Sequence, residues 1–442
     1  MSRDVALTRY LERHIEAGLP RAPMGSQHWQ HVIVIPAYNE RPELLSAFSQ
    51  LSTSGKVLII LVINRPDSDL NTQSNSALRN ALDNIGSTRN TSSQHPIYHL
   101  NSAVDLFCYD LERISGPIPA AQGVGLARKI GCDIAFLWQS QGAISTQWIC
   151  CTDADAILPS DYFSRLEQFD DSVAAVYPFA HAPGISEDIN RATILYEIRL
   201  HQYVLGLIYA KSPYAYHTLG SCIAVKCQHY AEVRGYPKRS GGEDFYLLNK
   251  LAKLGPVTSL TGECIQLQSR MSHRVPFGTG PAIKKIIDAN CGDESILFYH
   301  PQSFEVLRAL LAVVEQLQKQ ELDELPQLLH SEGLCEELAQ IATQALLTMG
   351  IAKAISHCRK QGKSEEQFLR QFHQWFDGFR TLKFLHRMRD AALPMQNLAG
   401  AYNLQPTLFP ASMKSTSIID TLRAAIRQQW QWSTDHELTD NP

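Results

Sequence analysis

Three short segments carry side chains whose types and spacing could do chemistry. Asp153-Ala154-Asp155 follows the apolar run Trp148-Ile-Cys-Cys151, so the pair is expected at the C-terminal edge of a buried strand. In parallel α/β sheets that edge is where ligands bind. Carboxylates at i and i+2 on a turn can converge on one hard divalent cation, with phosphate oxygens completing its shell. They can equally open a solvated loop through Asx-turn hydrogen bonds. Gly241-Gly242-Glu243-Asp244 sets a second acidic pair at the start of an apolar-striped helix. A carboxylate there either complements the helix dipole or acts as a general base presented by a flexible turn. Arg270-Met-Ser-His273-Arg274 opens a Gly/Pro-rich stretch. Arginine pairs well with phosphate oxygens and histidine can complete a metal shell; an ordinary basic loop would look the same.

Other signatures are absent or incomplete. Gly123-Val-Gly125-Leu-Ala-Arg128 puts Arg128 where a dinucleotide fingerprint needs its third glycine. A Gly-rich turn feeding a helix N-terminus could still hold a phosphate. There is no Walker A segment, no HExxH and no GxSxG. The 10 cysteines contain no CxxC pair, which argues against a structural zinc site. Scattered thiols in a chain this long fit a reducing cytoplasm.

The elements that must position these residues follow from periodicity. Leu7, Leu11 and Ile15 stack on one face of an N-terminal helix over residues 4–18, which Pro20 and Pro23 end. His31 to Pro36 and Val57 to Ile63 are β-branched apolar runs separated by a helical stretch, a βαβ unit that implies a parallel sheet. Residues 65–96 are a polar loop with one helix at 76–85, and Val104 to Leu111 is a further strand. A helix follows at 126–142, then the strand before Asp153, a helix over 160–169, a strand over 173–179 and a helix over 187–209. The strand–helix alternation runs to about residue 280. Beyond it the spacing is helical throughout, over 303–320, 335–358, 364–390 and 418–432.

Composition bounds the class. The 442 residues, 44% hydrophobic and 19% charged, describe an ordinary globular chain, with a prior of two or three domains. The formal charge of −4 gives no reason to expect nucleic acid or an anionic membrane as partner. The N-terminus lacks the apolar core of a signal peptide, and no apolar run is long enough for a transmembrane helix. Residues 351–390 are locally basic with Trp375, Phe376, Phe379 and Phe384 interleaved. That pattern fits packing, with peripheral membrane contact as the alternative.

In order and together, four segments resemble the family-2 type glycosyltransferases of the GT-A fold. Val32 to Glu40 (VIVIPAYNE) is similar to that family's opening strand and nucleotide-contacting turn. Gly125 to Gly131 (GLARKIG) resembles its GxARNxG helix, with Lys129 where Asn is usual. Cys151 to Ala156 (CTDADA) is similar to its DxD turn, and Gly220 to Gly255 to its acceptor-side strand and ED helix. The resemblance covers about residues 31–280. It implies an α/β GT-A catalytic domain over 31–284 (Rossmann-like, a mostly parallel sheet flanked by helices), after an N-terminal helical segment at 1–30 and before an all-α region at 285–442.

The resemblance further implies a nucleotide-sugar donor and a sugar transferred to an acceptor hydroxyl. The acceptor is left open: a small metabolite, a saccharide, a protein or a lipid carrier. Pro36, Ala37, Tyr38 and Glu40 would line the nucleotide pocket, and Arg128 would lie near the donor. Asp153 and Asp155 would face the donor and hold Mg²⁺ or Mn²⁺, Asp155 most directly. His273 would be a late metal ligand, and Arg270 and Arg274 would offset diphosphate charge. Asp244 would be the base, Glu243 the second choice, and the reaction would invert the anomeric centre. One departure concerns the donor's nucleobase: where the family carries Asp-Asp after the second strand and an Asp reads the base, this chain has Ile63-Asn64, and Asn64 would read it by a bidentate hydrogen bond. Tyr214 and Tyr216 are candidates for the acceptor pocket or for packing. His201, His217 and His229 are expected in the core or on the surface. A catalytically silent nucleotide-sugar binder and a nucleotidyltransferase are the competing readings.

Overall fold

The computed structural model describes residues 3–23, 28–51, 53–85, 95–184, 186–270, 278–289 and 295–404. His273, Arg274 and the expected helix at 418–432 lie outside them. The chain divides into two compact units, Met1–Gly184 with Thr218–Pro281, and Ile185–His217 with Ala282–Pro442. These units differ from the expected boundaries in two ways. The N-terminal helix folds within the first unit, and the helix at 187–209 belongs to the second.

The strands are β1 (His31–Ala37), β2 (Val57–Ile63), β3 (Ile97–His99), β4 (Val104–Asp110), β5 (Trp148–Cys151), β6 (Ala174–Val176), β7 (Phe179–Ala182), β8 (Ile223–Lys226), β9 (Val257–Ser259) and β10 (Ile265–Gln268). Eight of them form one sheet in the order β3-β4-β2-β1-β5-β8-β6-β9, and β10 pairs with β7. Pairing is parallel at β1–β2, β1–β5, β2–β4 and β6–β9. It is antiparallel at β3–β4, β5–β8 and β6–β8. Every residue of β2 is fully buried, which accounts for its unbroken apolar run; a strand covered on both faces has no reason to alternate. Each such aliphatic side chain contributes about 1.5–3 kcal/mol by burial. The in-register pairing of β1 with β2 ends at Ala37 and Ile63, so Tyr38 and Asn64 leave the sheet side by side. The strand expected at 104–111 is β4, a full partner for β2.

The helices are α1 (Arg3–Arg13), α2 (Leu44–Ser49), α3 (Ser76–Ile85), α4 (Leu111–Ser115), α5 (Gly123–Ser140), α6 (Glu187–Tyr209), α7 (Cys227–Glu232), α8 (Glu243–Leu251), α9 (Thr279–Asp288), α10 (Gln302–Val313), α11 (Leu325–Ser331), α12 (Glu336–Thr348), α13 (Ile351–Gln361), α14 (Glu365–Trp375), α15 (Gly378–Ala391) and α16 (Leu398–Leu404). The first unit is therefore mixed α/β, a mostly parallel sheet flanked by helices. Helix α5 crosses β1 and β2, and Gly131 permits it: a Cβ there would sit 2.4 Å from Val34 Cγ1. Buried polar groups fix the N-terminal segment to α5. The Tyr10 and Tyr230 hydroxyls donate to Asp133 Oδ1 at 2.5 and 2.8 Å. Lys129 Nζ donates to Asp133 Oδ2 at 2.8 Å and to the His14 carbonyl at 2.9 Å. Burial raises the Asp133 carboxyl pKa, and the Lys129 charge opposes it.

Four expected elements come out shorter or broken. The 160–169 helix is turns and a 3₁₀ segment at Ser164–Gln168. The 173–179 strand splits at Pro178 into β6 and β7. The 335–358 and 364–390 helices each break in two. Gly350, at φ 89°, turns the chain through 74° between α12 and α13. Asp377 accepts from the Arg380 N–H and starts α15 afresh.

In the second unit the described elements are helices and 3₁₀ turns, with one isolated bridge between Phe298 and Gln396. Phe368, Phe372, Phe376 and Phe384 all join its core, and Trp375 packs against it, so these aromatics are structural. Tyr214 and Tyr216 are buried too, with the Tyr214 hydroxyl donating to the His373 carbonyl at 2.5 Å. His201 and His217 are buried and face one another at 3.1 Å. His229 pairs locally with Glu232. Among the described residues, no single helix is long and apolar enough to cross a membrane. The described cysteines are all free thiols.

Candidate functional site

The C-terminal edge of β1, β2 and β5 gathers most of the residues singled out from sequence. At the end of β1, Pro36 and Ala37 are buried. Tyr38 is half-buried, and its hydroxyl donates to Asp69 Oδ2 at 2.8 Å. Asn39 takes a left-handed conformation at φ 53°, with its N–H on Asn75 Oδ1 at 2.9 Å. Asn64, expected to read the base, is only 5% exposed. Its amide donates to the Ala37 carbonyl at 3.1 Å and the Val62 carbonyl at 3.3 Å. Those N–H donors splice the ends of β1 and β2 together, so a base would have to be read by other donors. Asp69 also meets Tyr38, from a polar stretch with no motif to mark it. Its one signal is local: Asn71 N–H and Ser74 Oγ also bond to it, at 2.9 and 2.6 Å. The Ser74 and Asn71 bonds, with Tyr38, hold its carboxylate pKa below the usual value.

The acidic turn leaves β5 where expected. Thr152 continues the ladder to the Val34 carbonyl at 3.1 Å, and the Asp153 carbonyl accepts from Ala156 N–H at 3.2 Å to close the turn. Asp153 and Asp155 then meet different arginines. Arg128, expected beside the donor, is 3% exposed and internal. Its Nη2 donates to Asp153 Oδ1 at 2.5 Å and its Nε to Glu243 Oε1 at 3.1 Å. Burial works against its charge, but Asp153 and Glu243 outweigh that and hold it firmly protonated. Arg270 reaches Asp155 Oδ2 through Nε at 2.7 Å and Glu40 Oε1 through Nη2 at 3.6 Å.

The second acidic pair opens α8 after Gly242, which is left-handed at φ 69°. The two carboxyls differ sharply. Glu243 is 4% exposed and tied to Arg128; burial raises its pKa and the Arg128 charge opposes the rise. Asp244 remains part-exposed. Loss of solvation and the neighbouring Glu243 charge push its pKa to about 7, against backbone N–H groups and Arg128. Asp244 thus has the ionisation and the access that a general base needs near neutral pH.

The glycines around Arg128 also find their reason here. A Cβ on Gly125 would sit 2.5 Å from the Pro237 carbonyl and 2.6 Å from the Arg239 backbone. One on Gly220 would sit 2.6 Å from Arg128 Nη2. The Gly-x-Gly turn therefore seats α5 against the loop leading into the acidic pair, which is a packing role.

Among the described residues, no group of three or more His, Cys, Asp and Glu side chains could hold a metal ion. The donor chemistry nonetheless fits a hard cation. Asp155 and Glu40 are both oxygen donors, and the Arg270 guanidinium already stands between them as a cation. Magnesium-type ions take only one or two protein carboxylates when substrate phosphates supply the rest.

No family model matches the chain, and no curated protein does. Among solved structures it is similar to the mannosyltransferase PcManGT from Pyrobaculum calidifontis, solved in complex with GDP-Man and Mn²⁺. That likeness has 16% identity over 84% of this chain and 95% of that one, with a TM-score of 0.33.

Proposed function

We propose that the first unit is a glycosyltransferase of the GT-A type, moving a sugar from a nucleoside-diphosphate sugar to an acceptor hydroxyl with inversion. One observation carries the reading. Asp153 of the β5 turn and Glu243 of the α8 turn are joined through a single buried arginine, which leaves Asp244 as a part-exposed carboxyl with its pKa near 7. The order of segments supports it, since VIVIPAYNE, GLARKIG, CTDADA and the ED helix all converge on one sheet edge.

In this mechanism Asp244 takes the proton from the acceptor hydroxyl as its oxygen attacks the anomeric carbon. Glu243 is locked by Arg128 and does not serve as base. Tyr38 lines the nucleotide side, and Arg270 offsets diphosphate charge. When bound on Asp155, Mg²⁺ or Mn²⁺ would neutralise the leaving diphosphate as a Lewis acid. A single displacement makes the transition state oxocarbenium-like, by analogy with glycoside hydrolysis.

The test is a screen of nucleoside diphosphates and their sugars with Mn²⁺ by thermal shift, since a ligand that binds only the folded state raises its stability. Turnover of the best donor follows, with the product anomer assigned by NMR. A product that keeps the donor's configuration would refute the single-base mechanism. Donor binding with no transfer or hydrolysis across a broad acceptor panel would favour a silent binder.

A further inference from the structure

We propose that Arg270 is a resident counter-cation for Asp155 and Glu40. A divalent cation replaces it when a diphosphate binds, and its guanidinium then moves onto the diphosphate. This rests on the reading given under Proposed function and adds a step to it.

The site holds two arginine bridges, and they differ in kind. Arg128 joins Asp153 to Glu243 with its side chain 3% exposed. Moving it would strand a buried carboxylate, so it is a fixed strut. Arg270 joins Asp155 to Glu40 with its side chain 34% exposed, against 19% for Asp155 and 7% for Glu40. It is the member of that trio with most access to water, and it can leave at least desolvation cost. The carboxylates it would leave come from adjacent strands, since Glu40 follows β1, Asp155 follows β5, and these strands pair in parallel.

Two carboxylates drawn together on one sheet edge repel unless a cation joins them. A monovalent, delocalised guanidinium can do this in the absence of donor. A small divalent ion matches two hard oxygens better in charge and size, but it must displace the arginine. A diphosphate makes the exchange favourable from both sides, because it brings oxygens for the metal and a new anionic partner for the guanidinium. Arg270 should therefore oppose binding of metal alone and promote binding of metal with diphosphate.

The experiment measures Mn²⁺ binding to the full chain by electron paramagnetic resonance, alone and with UDP, GDP, ADP, CDP or dTDP. Wild type, R270Q and R270K are compared. We expect R270Q to bind Mn²⁺ alone about five- to tenfold more tightly than wild type. The same variant should bind the diphosphate in the presence of Mn²⁺ about five- to tenfold more weakly. R270K keeps a cation and should stay closer to wild type in the first measurement, which guards against a general effect of substitution. If R270Q leaves metal-only affinity unchanged or lowers it while wild type binds a diphosphate with Mn²⁺, the exchange is wrong and the donor site stands. If wild type binds no diphosphate with or without Mn²⁺, both the exchange and the donor site are refuted.

Discussion

Replacing Asp244 with Asn tests the centre of the proposed chemistry, and the wild-type pH profile gives the expected size. The Asp244 carboxyl has its pKa pushed to about 7 by lost solvation and by the Glu243 charge. Only the ionised form accepts a proton, so kcat/KM should rise with pH through that value. The ionised fraction goes from about 9% at pH 6 to about 91% at pH 8, which predicts roughly a tenfold increase between them. D244N should remove that limb and lower turnover by a factor of about 10² to 10⁴, the usual contribution of a positioned base.

Stability should respond in the opposite sense. The folded-state pKa lies above the unfolded value of 3.8, so the folded chain binds the proton more tightly. Stability is therefore lost as pH rises from about 4 to 7, and the full cost is present above 7. Three pKa units would amount to about 4 kcal/mol. Because Asp244 is part-exposed and shares its field with Glu243, about half of that is expected, roughly 2 kcal/mol. Urea unfolding at pH 4.5 and pH 8 should show wild type losing this much relative to D244N. A flat rate profile between pH 6 and 8, or turnover by D244N within threefold of wild type, would refute the assignment of the base.

Other substitutions follow from the same contacts. R128M strands Glu243 without its cation and should cost about 3–5 kcal/mol in denaturant unfolding; a cost below 1 kcal/mol would show that the buried bridge is not a strut. G125A forces a Cβ against the backbone of Pro237 and Arg239 and should cost about 1–3 kcal/mol. Its kcat should fall more than its KM changes, because the loop it displaces carries the acidic pair. Y10F removes one of the donors to Asp133 and should cost about 1–3 kcal/mol in thermal or urea melts, with kcat unchanged.

Much of the first unit was legible in the sequence because its strands are buried on both faces and its motifs fall at strand ends. What escaped was decided by tertiary contact. Asn64 looks like a base reader by position, yet the backbone of β1 lies within reach of its amide, and only the register of β1 and β2 shows that. Arg128 looks like a donor contact, but its burial depends on a helix, a strand end and a loop brought together from distant parts of the chain. The helical breaks at Gly350 and Asp377 had local signals, a glycine and an N-cap aspartate, inside patterns that otherwise ran on at helical spacing. Residues 187–209 read as part of the strand–helix alternation. Their apolar positions instead belong to the second unit's core, where Gly206 lets the Phe304 ring approach.

Helix α5 is buried at every position from Gly125 to Phe136. Gly125 meets the 237–239 loop, Arg128 the two acidic turns, Lys129 the N-terminal segment and Gly131 strand β1. Cys132 lies with its sulfur 3.5 Å from that of Cys151. An ordinary surface helix has an outer face on which substitutions accumulate at little cost. This one has none along that span, so over evolutionary time it offers almost no neutral ground. Under the proposed function, change in ligand preference would have to be sought elsewhere, in the polar segment around Asp69 and in the loops beyond the strand ends, while α5 stays close to its present sequence.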